Sequence, residues 1–371
     1  MFLISTGIIP RSPAVGQFIN DISKGESMHT PCYVFSSQIL IENYNIIKNR
    51  LSECKIYFAL KSNSIPFVID TLNKAGCSFE CASIGEFDRL ISQGVSVDNI
   101  INGQVIKKTS EIEYLYQCGC RYFVFDSYHE MGKIKNIAPK AKKILRIRIN
   151  DIIPTSIGYG MIENEIQSEL MDKAFCEIDG ISFHISNHDN KENMLKVFKR
   201  AEKYLSLISK FSQPILTIGG GWSLEDLPIY DTLADELMRI KSTYSCEIYA
   251  EPGKCIINSA GRFYTKVIAI KKRENTLDVY VDGSSANGIL RHPNKINVMG
   301  SNEILSRKVI YRFFDMTCMN TNLFVKRLNI NIKEGDIIEF EDYGAYTIVF
   351  QNEFHVWSKA NVIGSENKFH N

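Results

Sequence analysis

Between about residues 32 and 257 the chain repeats one pattern: a short apolar, β-rich run, a turn, then a longer stretch with apolar residues at helical spacing. The clearest runs are 56–60, 122–125, 144–149, 181–184 and 215–218. Among the longer stretches, 191–209 places Met194, Val197, Ala201, Leu205 and Ile208 on one helical face. Alternation of this kind predicts a parallel sheet clothed in helices, and this many units suits a (β/α)8 TIM barrel. After about 259 the character changes. Residues 263–270, 276–281, 308–314, 336–340 and 346–350 read as strands joined by turn residues, with few helices between them. The expected fold is therefore α/β plus all-β: a barrel over 29–258 and a C-terminal β-sandwich or β-barrel domain over 259–371. Residues 1–28 are expected to add a strand to the second domain.

In such a barrel the strand C-termini share one face, so residues just past the apolar runs are the candidates for chemistry. Tyr57-Phe58-Ala59-Leu60-Lys61-Ser62-Asn63 ends a run on a lysine, and Ala250-Glu251-Pro252-Gly253-Lys254 ends another on a carboxylate and a glycine. A lysine there can lose enough hydration to react as an amine and form a Schiff base with a carbonyl cofactor. A carboxylate beside a pyridine nitrogen keeps it protonated, as pyridoxal 5'-phosphate (PLP) needs to act as an electron sink. The run 215–218 leads into Gly219-Gly220-Gly221, where backbone N–H groups can converge on an anion without Cβ interference. His184 closes 181–184, and Tyr346 follows a tight turn at Gly344. Each feature alone has an ordinary reading, a solvated strand end or a flexible turn. Together, in this order, they point to one pocket.

These motifs resemble the alanine-racemase-like PLP enzymes, specifically the ornithine/diaminopimelate decarboxylase family, over about residues 30–354. Pro31-Cys32-Tyr33-Val34-Phe35 resembles the family's opening barrel strand, and Phe79-Glu80-Cys81-Ala82-Ser83 with Glu86 the segment after its second. The resemblance implies that Lys61 carries the cofactor, His184 stacks on its ring and Glu251 partners the pyridine nitrogen. Gly219, Gly220, Gly221, Gly253 and Tyr346 would cradle its phosphate, with Asn187 an added donor. Glu80, Glu86 and Arg146 match positions that line or brace the pocket. Cys318 resembles the cysteine that the other subunit contributes to reprotonate the carbanion, which implies a head-to-tail homodimer. Its ordinary reading is a small buried hydrophobe.

Departures from the family pattern bear on the substrate. Where the relatives carry an acidic residue after the cysteine, this chain reads Met319-Asn320-Thr321-Asn322, and only Asp282 matches a position that can receive a distal ammonium. An unpaired buried charge is costly, so fewer carboxylates favour a less cationic tail. The favoured substrate is a conjugated aminocarboxypropyl or diamino-acid group of a natural-product pathway; the alternative is free ornithine, lysine or diaminopimelate. His184-Ile185-Ser186-Asn187 and Lys254 also depart from the usual phosphate-loop residues. A racemase on the same fold and a non-catalytic PLP-binding homologue are the competing classes. Glu251 argues against the first, and the presence of Lys61, Cys318 and the glycines against the second.

Composition agrees. Lysine plus arginine number 43 and aspartate plus glutamate 42, so no bulk field recruits nucleic acid or an acidic membrane. The ten cysteines include no C-x-x-C, and His184 with His188 lacks further ligands for a metal site. Without a disulfide framework, a signal-peptide pattern at residues 1–5 or a bilayer-length apolar segment, a cytoplasmic enzyme is expected.

Overall fold

A computed structural model describes residues 29–153, 158–169, 175–185, 191–224, 227–300, 303–318 and 322–365. The chain divides into two units, one of residues 40–259 with 344–349, the other of residues 1–39, 260–343 and 350–371. The expected strand from residues 1–28, and the candidates Asn187 and Met319, lie outside the described residues.

A first strand and helix, β1 (Cys32–Ser36) and α1 (Ser37–Arg50), precede the βα repeats. These run β2 (Cys54–Ala59), α2 (Pro66–Lys74), β3 (Ser78–Cys81), α3 (Ile84–Ser92), β4 (Ile100–Asn102), α4 (Thr109–Gln117), β5 (Tyr122–Phe125) and α5 (Tyr128–Ile137). They continue with β6 (Lys142–Arg146), α6 (Glu163–Glu169), β7 (Gly180–Ser182), α7 (Lys191–Ile208), β8 (Ile215–Thr217), α8 (Leu227–Tyr244), β9 (Glu247–Ala250) and α9 (Lys254–Ile257). Strands β2 to β9 close into an eight-stranded parallel barrel, as the alternation predicts. Tyr57, Ile101, Val105, Val124, Ile144, Ile215 and Tyr249 form one buried cluster, the packed interior expected of such a barrel. Helix α7 buries Met194, Val197, Ala201, Leu205 and Ile208, the face that the periodicity marks.

One seam is thin. Strands β4 and β5 share a single register pair, Asn102↔Phe123. The buried Lys107 reinforces it, its Nζ donating to the carbonyls of Gln104 and Val124, each at 2.5 Å. Burial pulls its pKa down to about 8, against the nearby charge of Glu130.

The other unit is a mixed eight-stranded sheet that adds β10 (Gly261–Lys272), β11 (Leu277–Val281), β12 (Ile296–Met299), β13 (Ile304–Phe314), β14 (Phe324–Ile330), β15 (Ile337–Phe340) and β16 (Asn361–Ser365). Its order is β12-β15-β10-β11-β13-β14, with β1 joined to β10 and β16. β10 pairs with β1 and β15 through its first half and with β11 through its second, with a register shift between Val267 and Ala269. Aromatic side chains fill its core: Tyr33 meets Phe263 at 4.8 Å, and Phe313 meets Phe324 at 4.4 Å between ring centroids.

Two expectations are corrected. The apolar run 31–35 does not open the barrel; as β1 it pairs antiparallel with β10 and parallel with β16 in the sheet. The run 346–350 is not a strand. Its residues 346–349 belong to the barrel unit; Tyr346 has a left-handed φ of 53°, and Ile348–Phe350 forms a 3-10 turn. Among the described residues no helix is long and apolar enough to cross a membrane.

Candidate active site

The barrel's strand ends gather the charged candidates. Lys61 follows β2 in a 3-10 turn (Leu60–Ser62) held by Asn63 N–H donating to Leu60 O at 3.0 Å. Ser62 Oγ donates to Ala59 O at 2.7 Å, so a lysine leaves the strand at a fixed angle. Its Nζ lies 3.8 Å from Oε2 of Glu80, the inward carboxylate of β3. Glu80 is buried at 3% exposure, whereas the Lys61 side chain is 46% exposed, so the pair joins a dry carboxylate to a half-wet amine. Glu80's charge holds the Lys61 ammonium above the ordinary lysine value; burial opposes it, and Glu251 and Tyr346 add to it. The lysine is thus kept charged by its neighbours in this state, whereas desolvation alone would favour the free amine.

Glu251 follows β9. Its backbone N–H donates to Gly219 O at 2.8 Å, and its Oε1 accepts a short hydrogen bond from the Thr217 hydroxyl at the end of β8. Burial pushes its carboxyl up, and Glu80's charge adds to this; Thr217, Lys61 and Arg146 pull the other way. Arg146 ends β6 and so enters the same electrostatic group.

The glycine turn is conformationally demanding. Gly219 has φ 65°, and a Cβ there would lie 2.4 Å from Phe183 O; one on Gly220 would lie 2.7 Å from Glu251 O. Gly221 also has positive φ, 88°. His184 Nδ1 accepts from Gly220 N at 3.4 Å, setting the imidazole against this turn. Gly253 lies close to Ser62, where a Cβ would approach its side chain to 3.0 Å. Tyr346 joins the group through its N–H, which donates to Ser62 O at 2.9 Å.

The structure thus brings together Lys61, Glu80, Arg146, Glu251 and Tyr346, with His184 and the glycines beside them. Glu86 has a different part: it reaches back to accept from Ala82 N at 2.7 Å, while Ser83 Oγ accepts from Glu86 N at 3.2 Å, capping α3. Lys254 begins α9, with Gly253 as its N-cap.

Cys318 and Asp282 belong to the sheet unit. Cys318 is exposed, not the buried small hydrophobe of its ordinary reading, and it takes a left-handed φ of 59° that residues other than glycine seldom adopt. Asp282 is already engaged: Oδ1 accepts from Thr265 Oγ1 at 2.7 Å and Lys266 N at 2.8 Å, and Oδ2 from Thr30 Oγ1 at 2.5 Å.

Sequence reasoning missed four contributors. Thr217 binds Glu251. Asn63 donates to Gly344 O at 2.9 Å, and Trp222 Nε1 to Gly219 O at 2.7 Å. Gly103 leaves the space that Glu80 fills, for a Cβ there would lie 2.2 Å from Glu80 Oε1. Trp222, directly after the three glycines, carried the one available signal, a large ring beside a flexible turn.

This donor set suits an aldehyde-bearing pyridine phosphate. It offers an amine, a half-buried carboxylate for a ring nitrogen, and glycines packed too closely for side chains. Glu80 Oε2 is also buried with no hydrogen-bond partner. The comparisons agree. Residues 38–265 match the family model described as the pyridoxal-dependent decarboxylase, pyridoxal binding domain. An ornithine decarboxylase of Schizosaccharomyces pombe is 28% identical over 85% of this chain and 78% of its own. An antizyme inhibitor 2 of Xenopus laevis is 24% identical over 97% of this chain and 86% of its own. The crystal structure of the arginine decarboxylase of Paramecium bursaria Chlorella virus shares the fold, with a TM-score of 0.84 at 24% identity, covering 94% of this chain and all of that one. The barrel, its lysine and carboxylate at the strand ends, and the match across most of that barrel lead to one conclusion: this chain belongs to the pyridoxal-dependent decarboxylases, with PLP as its cofactor.

Proposed function

We propose that the chain decarboxylates the amino-acid end of a substrate whose distal part carries less positive charge than a free diamino acid, such as a conjugated aminocarboxypropyl group. The observation that carries the substrate class is Asp282. Three of a carboxylate's roughly four acceptor positions are taken by Thr30, Thr265 and Lys266. A distal ammonium would find little left there, and the sequence after Cys318 offers no second acid.

When bound, PLP supplies an aldehyde for the substrate's amine and a protonated ring that accepts the electron pair left as carbon dioxide departs. Lys61 would hold that aldehyde, and Glu251 would face the ring nitrogen as a carboxylate. Gly219, Gly220, Gly221, Gly253 and Tyr346 would bind the phosphate, and His184 would rest against the ring. Cys318 would return a proton to Cα. Because the family completes its site across two subunits, Cys318 would come from a partner copy in a head-to-tail homodimer. Mixing inactive Lys61→Ala and Cys318→Ala subunits should then restore activity; no recovery refutes a shared site.

The test of substrate is carbon dioxide release by PLP-loaded protein from ornithine, lysine, diaminopimelate, diaminobutyrate and an aminocarboxypropyl conjugate. Turnover confined to the conjugate supports the reading. Rapid turnover of free ornithine defeats it in favour of the class that the S. pombe relative's name suggests. Release from none of them, with tight PLP binding, favours a non-catalytic homologue, for which the inhibitor-named relative speaks.

A further inference from the structure

We propose that Thr217 is a positioning residue for Glu251, its hydroxyl holding that carboxylate ionised and in one orientation from the neighbouring barrel strand. The inference rests on reading Glu251 as the partner of the pyridine nitrogen. Strands β8 and β9 pair with Thr217 opposite Tyr249, so Thr217 and Glu251 both fall on the inward-facing period of their strands. Thr217 is fully buried, and its Oγ1 donates to Glu251 Oε1. Gly219, two residues further along the same strand line, accepts from Glu251 N at 2.8 Å. The segment 217–219 therefore grips Glu251 at both backbone and side chain.

The groups acting on Glu251 come from several barrel strands. Glu80 stands on β3, Lys61 beyond β2, Arg146 at the end of β6, and Tyr57 within β2. Burial and the Glu80 charge favour the neutral acid, and Lys61 and Arg146 favour the carboxylate. Lys61 is an incomplete counterweight because its Nζ already faces Glu80. Thr217 is the one neutral donor in direct contact among these groups. A hydroxyl donating to an anion makes a shorter and stronger bond than one donating to a neutral acid, so the contact selects the carboxylate. It also takes one acceptor position of Oε1 and fixes the plane in which the remaining ones lie.

Thr217→Val keeps the shape and removes the donor. In the cofactor-free protein, the carboxylic C=O band of Glu251, identified by its loss in Glu251→Gln, is followed by infrared difference spectroscopy against pH. The band of Thr217→Val should titrate about one to two pH units above wild type, a ten- to hundredfold shift in the acid–carboxylate ratio. Thr217→Ser, which keeps the hydroxyl, should titrate with wild type. PLP affinity of the valine variant should fall about tenfold at neutral pH and recover as pH rises, a dependence that a packing defect would not produce. Coincident titrations of the valine variant and wild type would overturn the proposal, as would a serine variant that shifts like valine. If the valine variant does not fold, Thr217→Ala against Thr217→Ser makes the same comparison. The titration needs neither cofactor nor substrate. A protein that releases no carbon dioxide would therefore end the decarboxylase reading and leave this result standing.

Discussion

Gly103→Ala is the sharpest test of how the lysine is held. The added Cβ would lie 2.2 Å from Glu80 Oε1, 2.8 Å from its Cδ and 2.9 Å from its Cγ. Moving the carboxylate tip alone does not clear it, because three atoms of the side chain are too close. Glu80 is buried, so its carboxylate has no solvent to swing into. Overpacking of this kind costs about 1–3 kcal/mol, read as a fall of a few degrees in Tm. The larger consequence falls on Lys61. At the present 3.8 Å separation, the bare attraction at an effective dielectric near 20 is about 4 kcal/mol. Because the ammonium is half in water, the measurable share shrinks to about 1 kcal/mol. Glu80 raises the lysine pKa, so displacing it should lower that pKa. The assay is competitive labelling of Lys61 by an acylating reagent across pH, read by mass spectrometry, since only the free amine reacts. The half-reaction pH should fall in Gly103→Ala and in Glu80→Gln alike. An alanine variant with wild-type melting and wild-type Lys61 reactivity would refute the account of Glu80 as a carboxylate locked over a glycine.

Two further outcomes follow from the same geometry. The folded pKa of Glu251 is raised, first by burial. The stability tied to this group is therefore fully present below the unfolded carboxylate value and drains as pH rises through the folded one. Cofactor-free Glu251→Gln should melt higher than wild type at neutral pH and converge with it in acid; parallel curves in calorimetry would contradict this. Gly219→Ala combines a left-handed φ with a Cβ 2.4 Å from the Phe183 carbonyl. It should cost about 3 kcal/mol or more, seen as a lower urea midpoint, and an unchanged midpoint would contradict the close approach at this turn.

The barrel was legible because apolar runs and helical spacing alternate, and the mouth was legible because charged residues end those runs. The strand-end positions of Lys61, His184, Gly219 and Glu251 follow from that alternation, while their roles rest on the family resemblance. Thr217 left no mark, since a β-branched residue in a strand is ordinary on propensity alone. Gly103 reads as a turn glycine, and its reason, the Glu80 side chain lying over it, is tertiary. The apolar stretch at β1 looks the same whether it joins a barrel or a sheet, because periodicity does not name a strand's partner. Asp282 shows its charge in the sequence but not the three donors that occupy it.

The return of residues 344–349 to the barrel has a consequence for biogenesis. Asn63, two residues from the lysine, takes Gly344 as its acceptor across 281 positions of sequence, and Ser62 takes the Tyr346 amide in the same way. Contacts so distant in the chain are among the last to form. A ribosome that has delivered all eight barrel strands has therefore not yet delivered a finished pocket, because the strip that braces it follows only after the intervening sheet strands. Cofactor capture would then report on synthesis past this strip, and a chain truncated before residue 344 would carry the lysine without the strip that braces it.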